Sequence, residues 1–112
     1  MRKISTREYS EKQEKIVAKY LGGRKTPNSG ATLFDKGDVL TEDTVIECKT
    51  KTKESKSHTI KKEWIDTLKK ECISLGKSNW IIVFDFGTQK LHDQYVIIPI
   101  DYYKELKEET EE

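Results

Sequence analysis

The stretch that most constrains the fold is NWIIVFDF, a nearly continuous apolar run at residues 79–86. A short run of this kind is typical of a strand that other elements cover on both faces. Residues 60–75, directly upstream, repeat apolar side chains on one face at helical spacing, and Gly76 follows as a stop signal. A buried strand after an amphipathic helix predicts an α/β arrangement.

The rest of the chain supplies further elements for the same sheet. Residues 5–21 have helical spacing with Ser or Thr at the start, and Gly22-Gly23 ends the pattern. Turn-forming residues fill 24–31, and residues 51–58 are a polar loop. Strands are predicted at residues 31–34, 39–40, 44–50 and 95–100, and a last amphipathic helix from residue 101 onward. We therefore predict one α/β domain over residues 1–112, a mixed β-sheet flanked by helices.

Size and composition narrow the class of protein. The chain has 112 residues, enough for one modest core, and its hydrophobic residues are clustered although they make up only 34%. No apolar run approaches the roughly 20 residues that span a bilayer, and the N-terminus has no signal-peptide core. Cys48 and Cys72 are too few for a disulfide framework and lack zinc-site spacing. We expect a reduced, cytoplasmic protein with two buried thiols and no membrane partner.

Charge is distributed unevenly along the chain. The last twelve residues hold six acids and two lysines, a net charge of −4, so residues 1–100 carry +5. Residues 49–62 contain only one acid, Glu54, against a run of lysines: Lys49, Lys51, Lys53, Lys56, Lys61 and Lys62. This pattern fits a polyanionic partner such as DNA, and a solvated lysine-rich loop is the alternative.

A carboxylate and an ammonium stand side by side in the predicted strand at residues 44–50. Residues i and i+2 of a strand point to the same face, so Glu47 and Lys49 share one face while Cys48 points into the core. Asp38 adjoins the preceding strand and can lie beside them across the ladder. Two carboxylates at a strand end suit a hard cation, Mg²⁺ or Mn²⁺, with water and phosphate as further ligands.

The adjacent lysine indicates which chemistry such a metal site would serve. A bound metal activates water and polarises a phosphate, and the Lys49 ammonium can stabilise the charge that develops there. The residues therefore point to metal-assisted phosphodiester hydrolysis. Glu14, in the middle of the first helix, is either a solvated helix charge or a third acid of the same pocket.

The motif GD…IECK, at residues 37–38 and 46–49, resembles the D…ExK core of the PD-(D/E)xK nuclease superfamily, as does the α-β-β-β-α-β order around it. With Glu14 and the loop KTPNSG at residues 25–30, it looks most like archaeal-type and phage-borne Holliday junction resolvases. The resemblance implies a restriction-endonuclease-like fold and a Mg²⁺ or Mn²⁺ pocket made by Asp38, Glu47 and Glu14. It implies four catalytic residues: Glu14, Asp38, Glu47 and Lys49.

The same resemblance implies how DNA would be held. By this resemblance Lys25, Thr26 and Ser29 would lie over the scissile strand. Independently of it, the lysines that flank the strand of Glu47 can track the backbone on either side of the cut: Lys51, Lys53, Lys56, Lys61 and Lys62. A four-way junction has two-fold symmetry and needs two cuts, so a resolvase is expected to be a homodimer. The strand at residues 95–100 or the last helix would provide the dimer surface.

Three functions stay open at this stage. The first is a structure-selective Mg²⁺-dependent endonuclease that acts on branched DNA. The second is a restriction-like or nicking endonuclease on ordinary duplex, and the third is a non-cleaving nucleic-acid-binding protein with a nuclease fold. Outside the D…ExK set we expect His58 at the surface and Trp64 and Trp80 in the core. We expect Ser55, Ser57 or Thr59 to cap the second helix, with a contact to phosphate as the alternative.

Overall fold

From residue 37 onward the helices and strands follow one another in the predicted order, and a short strand that was not predicted follows the first helix. The structure, a computed structural model, describes residues 6–26 and 37–111. Its elements in chain order are α1 (Thr6–Leu21), β1 (Arg24–Lys25), β2 (Val39–Leu40), β3 (Thr44–Lys49), α2 (Lys62–Leu75), β4 (Asn79–Phe84), a 3₁₀ turn (Leu91–Asp93), β5 (Tyr95–Ile97) and α3 (Ile100–Glu111).

The strands of the described residues form one mixed sheet with the order β1-β2-β3-β4-β5. β1, β2 and β3 pair as an antiparallel meander, and β3 pairs in parallel with β4 through the α2 crossover. β5 then adds antiparallel to β4. This confirms the prediction of an α/β domain with a mixed sheet and flanking helices.

The alternating side chains of β3 and β4 divide the core into two layers. On one face Ile46 and Val83 pack beneath Val17 of α1. On the other face Val45 and Ile82 pack beneath Leu68 of α2. Burying side chains of this size contributes about 1.5–3 kcal/mol each, so the pair β3–β4 is the rigid centre from which other groups are positioned.

α3 is held more lightly than the other two helices. Tyr102 packs against the core layer on the α1 side, whereas Ile100, Tyr103 and Leu106 are exposed. No helix among residues 6–26 and 37–111 is long and apolar enough to cross a membrane.

Several element boundaries differ from the sequence prediction. α2 begins at Lys62 rather than residue 60, and its N-cap is Lys61 with no side-chain cap hydrogen bond, so the predicted cap by Ser55, Ser57 or Thr59 is wrong. Ile60 instead packs against the core just before the helix. β4 ends at Phe84 and β5 at Ile97, both shorter than predicted.

The loop after α1 is partly a strand. The sequence predicts a turn at Arg24–Lys25, yet this segment pairs with Val39–Leu40. Gly22, with φ of 69°, reverses the chain, and Gly23 packs so closely on the Leu40 carbonyl oxygen that a Cβ would lie 2.8 Å from it. The turn residues from Pro27 onward and the strand predicted at residues 31–34 lie outside the described residues.

Candidate active site

The three residues of the D…ExK motif come together at the junction of β2 and β3. The Asp38 N–H donates to the Ile46 carbonyl (2.9 Å), and the Asp38 carboxylate oxygen Oδ2 accepts from the Cys48 N–H (2.8 Å). This bond holds the Asp38 carboxylate against the backbone between Glu47 and Lys49, and a side-chain hydrogen bond joins Asp38 to Glu47. The position of Asp38 across the ladder is as the sequence predicts.

Gly37 and Thr26 hold this segment in place. Gly37 has φ of 77°, and a Cβ there would lie 2.6 Å from a Val45 methyl group, so a larger residue would push Asp38 out of position. The Thr26 N–H donates to the Asp38 carbonyl (3.1 Å) and its hydroxyl to the Gly37 carbonyl (2.7 Å). Thr26, which directly follows β1, therefore supports the site. A DNA contact by Thr26 stays a prediction, and Ser29 lies outside the described residues.

Lys49 is oriented by two neighbours. Its Nζ lies 3.3 Å from Glu47 Oε1, with the side chains 28% and 22% exposed, respectively. The same Nζ lies 4.4 Å from the centre of the Trp64 ring, a cation–π contact. The sequence predicts Trp64 as a core residue; it is half-buried and in addition holds the ammonium in place.

Burial and the nearby charge of Asp38 raise the pKa values of Glu47 and Glu14. Burial, the negative charge of Asp38 and a hydrogen bond to Asp38 together raise the pKa of Glu47 from 4.5 to about 8, although Lys49 opposes the shift. Burial and Asp38 likewise raise the pKa of Glu14 from 4.5 to about 7, with Lys25 opposing. The structure thus brings Glu14 and Lys25 within electrostatic range of the same cluster.

The donor set suits a partly hydrated cation. Asp38 and Glu47 touch and repel one another when ionised, and a divalent cation would remove that repulsion. Within the described ranges no three His, Cys, Asp or Glu side chains converge closely enough to enclose a metal ion. Mg²⁺ typically binds one or two carboxylates and completes its shell with water and phosphate, so Asp38 and Glu47 fit this ion, and Glu14 as a third ligand stays a prediction.

A buried glutamine that sequence reasoning missed supports the strand from behind. Gln13 is fully buried, and its Nε2 donates to the carbonyl oxygens of Lys49 (2.8 Å) and Val83 (3.3 Å) and approaches Gln94 Oε1 (3.0 Å). It ties α1 to the ends of β3 and β4. The one available signal was its position a turn before the buried Val17, which places it on the inner face of α1.

Gln94, which contacts Gln13, also contacts a buried acid, Asp85. Asp85 is fully buried, and it accepts hydrogen bonds from the Thr50 hydroxyl (2.6 Å), Gln94 Nε2 (2.7 Å) and the Gly87 N–H (2.9 Å). Its oxygens are thereby occupied within the protein. Asp85 is therefore a structural carboxylate and not a further metal ligand.

The lysine run lies at the same end of the sheet as the acids. The Ser55 N–H donates to the Phe86 carbonyl (2.8 Å), which anchors residues 51–58 just beyond β4. Lys51 is half-buried, whereas four lysines are exposed: Lys53, Lys56, Lys61 and Lys62. Lys62 forms an exposed ion pair with Asp66 (3.3 Å) one turn along α2.

Both cysteines are free and buried, as predicted. Burial raises the pKa of the Cys48 thiol well above its ordinary value, and the neighbouring acids add to the shift. The Cys72 Sγ donates to the Asn79 carbonyl oxygen (3.2 Å). Neither thiol is therefore suited to act as a nucleophile.

Comparisons with protein-family models, with curated proteins and with solved structures found no match for this chain. The resemblance to the PD-(D/E)xK nucleases therefore stays a prediction. The function has to be inferred from the geometry and charge of the site itself.

The raised pKa values predict an unusual dependence of stability on pH. Glu47 and Glu14 titrate near 8 and 7 in the folded, metal-free protein but near 4.5 when unfolded. Between these values the folded state binds more protons, so the free energy of unfolding should fall as pH rises from about 4.5 to 8. Thermal melting in EDTA at pH 5 and pH 8.5 should show this loss. Mg²⁺ should restore stability at the higher pH.

Glu47→Gln separates the contribution of Glu47 to this pH dependence of stability from that of other titrating groups such as His58. The variant should melt at a more constant temperature across this range than the wild type, whereas Glu63→Gln on the exposed surface of α2 should behave as the wild type does. Equal pH profiles for wild type and Glu47→Gln would show that Glu47 titrates normally.

Proposed function

We propose that this chain is a Mg²⁺- or Mn²⁺-dependent endodeoxyribonuclease that hydrolyses phosphodiester bonds. The observation that supports this best is the close packing of Asp38, Glu47 and Lys49, with the Lys49 Nζ 3.3 Å from Glu47. An ion pair made only for stability would need one acid and would contribute at most about 1 kcal/mol at a surface. A second acid held against the first lowers stability, and a bound cation explains why it is there.

Each residue has a distinct part in the proposed reaction. Asp38 and Glu47 would hold the cation, which supplies Lewis-acid polarisation of the phosphate and an activated water. The Lys49 ammonium, oriented by Glu47 and Trp64, would face the non-bridging oxygens of the phosphate and stabilise their growing negative charge. Glu14 and Lys25 lie at the margin of this pocket on α1 and β1.

Binding to the phosphate backbone is the proposed task of the lysine run, and salt dependence tests it. Lys53→Glu with Lys56→Glu should weaken DNA binding in EDTA and lower the slope of log affinity against log salt by about 0.9 for each phosphate that the loop no longer neutralises. Lys69→Glu with Lys70→Glu, two exposed lysines in the second half of α2, makes the same change in net charge and should leave the slope nearly unaltered. Fluorescence anisotropy with a labelled duplex from about 50 to 300 mM salt measures both slopes. An unchanged slope for the first pair would mean that the loop is only solvated.

Branched DNA, with four-way junctions first, is the substrate that we propose. Specific duplex cutters read base edges in the grooves with dedicated side chains. In the described residues, α1 and α2 each pack one side against the sheet, and the lysine run adds exposed ammonium groups that suit phosphates. Such a surface selects the shape of DNA rather than its sequence.

A homodimer would supply the two cuts that a junction needs. We propose α3 as the dimer surface, because its side chains Ile100, Tyr103 and Leu106 are apolar and exposed. Sedimentation analysis should give a dimer for the wild type and a monomer for Tyr103→Glu, and a wild-type monomer on DNA would contradict it.

The decisive test is cleavage of a labelled four-way junction beside a linear duplex of matched length, with Mg²⁺, with Mn²⁺ and with EDTA. We expect metal-dependent cleavage of the junction in preference to the duplex. Cleavage of the duplex alone would favour a restriction-like or nicking enzyme. Binding without cleavage in either metal would favour a non-cleaving DNA-binding protein.

A further inference from the structure

An aromatic surface extends from the candidate active site towards the edge of the sheet. It consists of His58, Trp64, Phe84, Phe86 and Tyr95, whose neighbouring ring centres lie 5.5 to 6.5 Å apart. Core aromatics are normally buried, yet the first four are half-buried and Tyr95 is 50% exposed. Each of these residues is therefore partly accessible to solvent, Tyr95 the most.

The sheet register explains why this aromatic surface begins at Lys49. Lys49 pairs with Phe84 of β4, and Phe84 pairs with Tyr95 of β5, so the three side chains form one row across the α2 face. Trp64 of α2 lies over the Lys49 end of that row. Phe84 and Tyr95 are thus the neighbours of Lys49 across the sheet, in the direction away from Asp38.

The lysine run borders the same aromatic surface. The Ser55 N–H donates to the Phe86 carbonyl (2.8 Å), and Gly87, with φ of 104°, packs so closely on Lys53 that a Cβ would lie 2.5 Å from its carbonyl oxygen. These contacts hold the backbone of residues 53–55 against the end of the aromatic row. Burial and the charge of Lys51 lower the pKa of His58, so the cations at this border are lysines.

A partly exposed group of aromatic residues bordered by lysines suits one kind of ligand. A nucleotide with an unpaired base offers a flat π-face for the rings and a phosphate for the lysines. Bases inside an intact duplex are stacked on one another and cannot reach such a surface. An apolar protein segment would gain nothing from the bordering charges.

We propose that the aromatic surface binds an unpaired DNA base next to the phosphate at Lys49, with Tyr95 as the main stacking ring. The inference rests on the proposed function, since it takes DNA as the ligand of the same site. It adds a cause for the preference for branched DNA, because bases at a branch point can leave the stack at lower cost than bases in a duplex.

The test measures binding in EDTA, where nothing is cut. A fluorescent oligothymidylate of about 15 nucleotides, a length within the usual site size of single-strand binders, is titrated with each protein. The proteins are wild type, Tyr95→Leu, Tyr95→Phe and the control Tyr20→Leu, which changes a tyrosine of α1 that is 66% exposed. Loss of one stacked base typically lowers affinity about 5-fold or more. We expect that loss for Tyr95→Leu, near wild-type affinity for Tyr95→Phe, and none for Tyr20→Leu.

A second probe keeps the result decisive even if Tyr95→Leu folds poorly. An oligonucleotide of equal length built of abasic sites keeps the phosphates and removes the bases. Wild type should bind it at least about 5-fold more weakly than oligothymidylate, and Tyr95→Phe should do the same. Equal affinity of the wild type for the two probes would overturn the base site, as would unchanged binding by a folded Tyr95→Leu.

The two proposals fail in different ways. Base-dependent binding by a protein that cuts no DNA with Mg²⁺ or Mn²⁺ would remove the nuclease and leave the base site. Metal-dependent cleavage by a protein that binds abasic and normal oligonucleotides alike would remove the base site and leave the nuclease.

Discussion

Asp38→Asn combined with Glu47→Gln should abolish Mg²⁺ binding and lower the cleavage rate by about 10³-fold or more. The substitutions keep the shape of both side chains, and the amide oxygen introduced at position 38 can still accept the Cys48 N–H, so the local backbone should be preserved. They remove the two negative charges that would hold the cation. Losing several kcal/mol of metal-derived stabilisation corresponds to about this factor in rate. Calorimetry gives the affinity, and single-turnover cleavage gives the rate.

The metal-free stability of this variant provides an internal check. Glu47 and Asp38 repel one another, which is one cause of the raised pKa of Glu47. The double variant should therefore melt at the same or a higher temperature than wild type at pH 8 in EDTA, so its loss of activity could not be ascribed to unfolding. Glu42→Gln with Glu63→Gln removes the same charge at exposed positions and should keep metal affinity and rate. Equal Mg²⁺ affinity for wild type and the Asp38/Glu47 variant would remove the metal site.

Calcium separates binding from chemistry at the same site. Ca²⁺ accepts more oxygen ligands at longer distances than Mg²⁺, so it should support DNA binding while positioning water poorly. Rapid cleavage in Ca²⁺ alone would contradict a site tuned to Mg²⁺ or Mn²⁺.

Local patterns in the sequence are sufficient to predict most of the fold and the relative positions of Asp38, Glu47 and Lys49. The apolar run at residues 79–86 predicts the central strand β4. The two-residue period of β3 predicts that Glu47 and Lys49 share a face, and the ladder places Asp38 beside them. These predictions need only strand geometry and neighbouring residues. They hold because the core requires one register and one orientation of β3.

Features that depend on distant parts of the chain could not be predicted. Gln13 is buried because its partners Lys49, Val83 and Gln94 lie 36 to 81 residues away. The contact between Trp64 and Lys49 depends on how α2 sits across the sheet, which no spacing in the sequence defines. The short strand β1 forms because Val39–Leu40 offers it an edge, whereas its own residues have turn-like neighbours.

The residues that weaken local stability are the same ones that carry the proposed chemistry. A chain selected for stability alone would not keep a half-buried Glu beside an Asp, since the pair must share a proton or lose folding free energy. The fully buried Asp85, by contrast, accepts hydrogen bonds from three donors. The contrast between the two acids supports function as the reason for the Asp38–Glu47 contact.

Lys49→Ala should lower the cleavage rate by about 10²–10³-fold, the usual cost of removing one charge aimed at a reacting group. A second effect has to be separated from the first. Lys49 opposes the rise in the pKa of Glu47, so its removal should raise that pKa further and weaken metal binding near pH 7. At pH 9 with saturating Mg²⁺, Glu47 is ionised in both proteins, and the remaining deficit in single-turnover rate reports the contribution of Lys49 to the reaction itself.

Lys77→Ala is the matched control for this experiment. Lys77 is also a half-buried lysine, and its Nζ donates to the carbonyl oxygens of Thr41 (2.8 Å) and Glu42 (2.9 Å), but it lies on the turn before β4. Its removal should reduce thermal stability and leave the rate of the folded protein near that of wild type. If Lys49→Ala at pH 9 also cleaved near the wild-type rate, Lys49 would be only an ion-pair partner of Glu47. If Lys49→Ala bound metal normally at pH 9 but still cleaved about two orders of magnitude more slowly than wild type, the Lys49 ammonium would act at the phosphate.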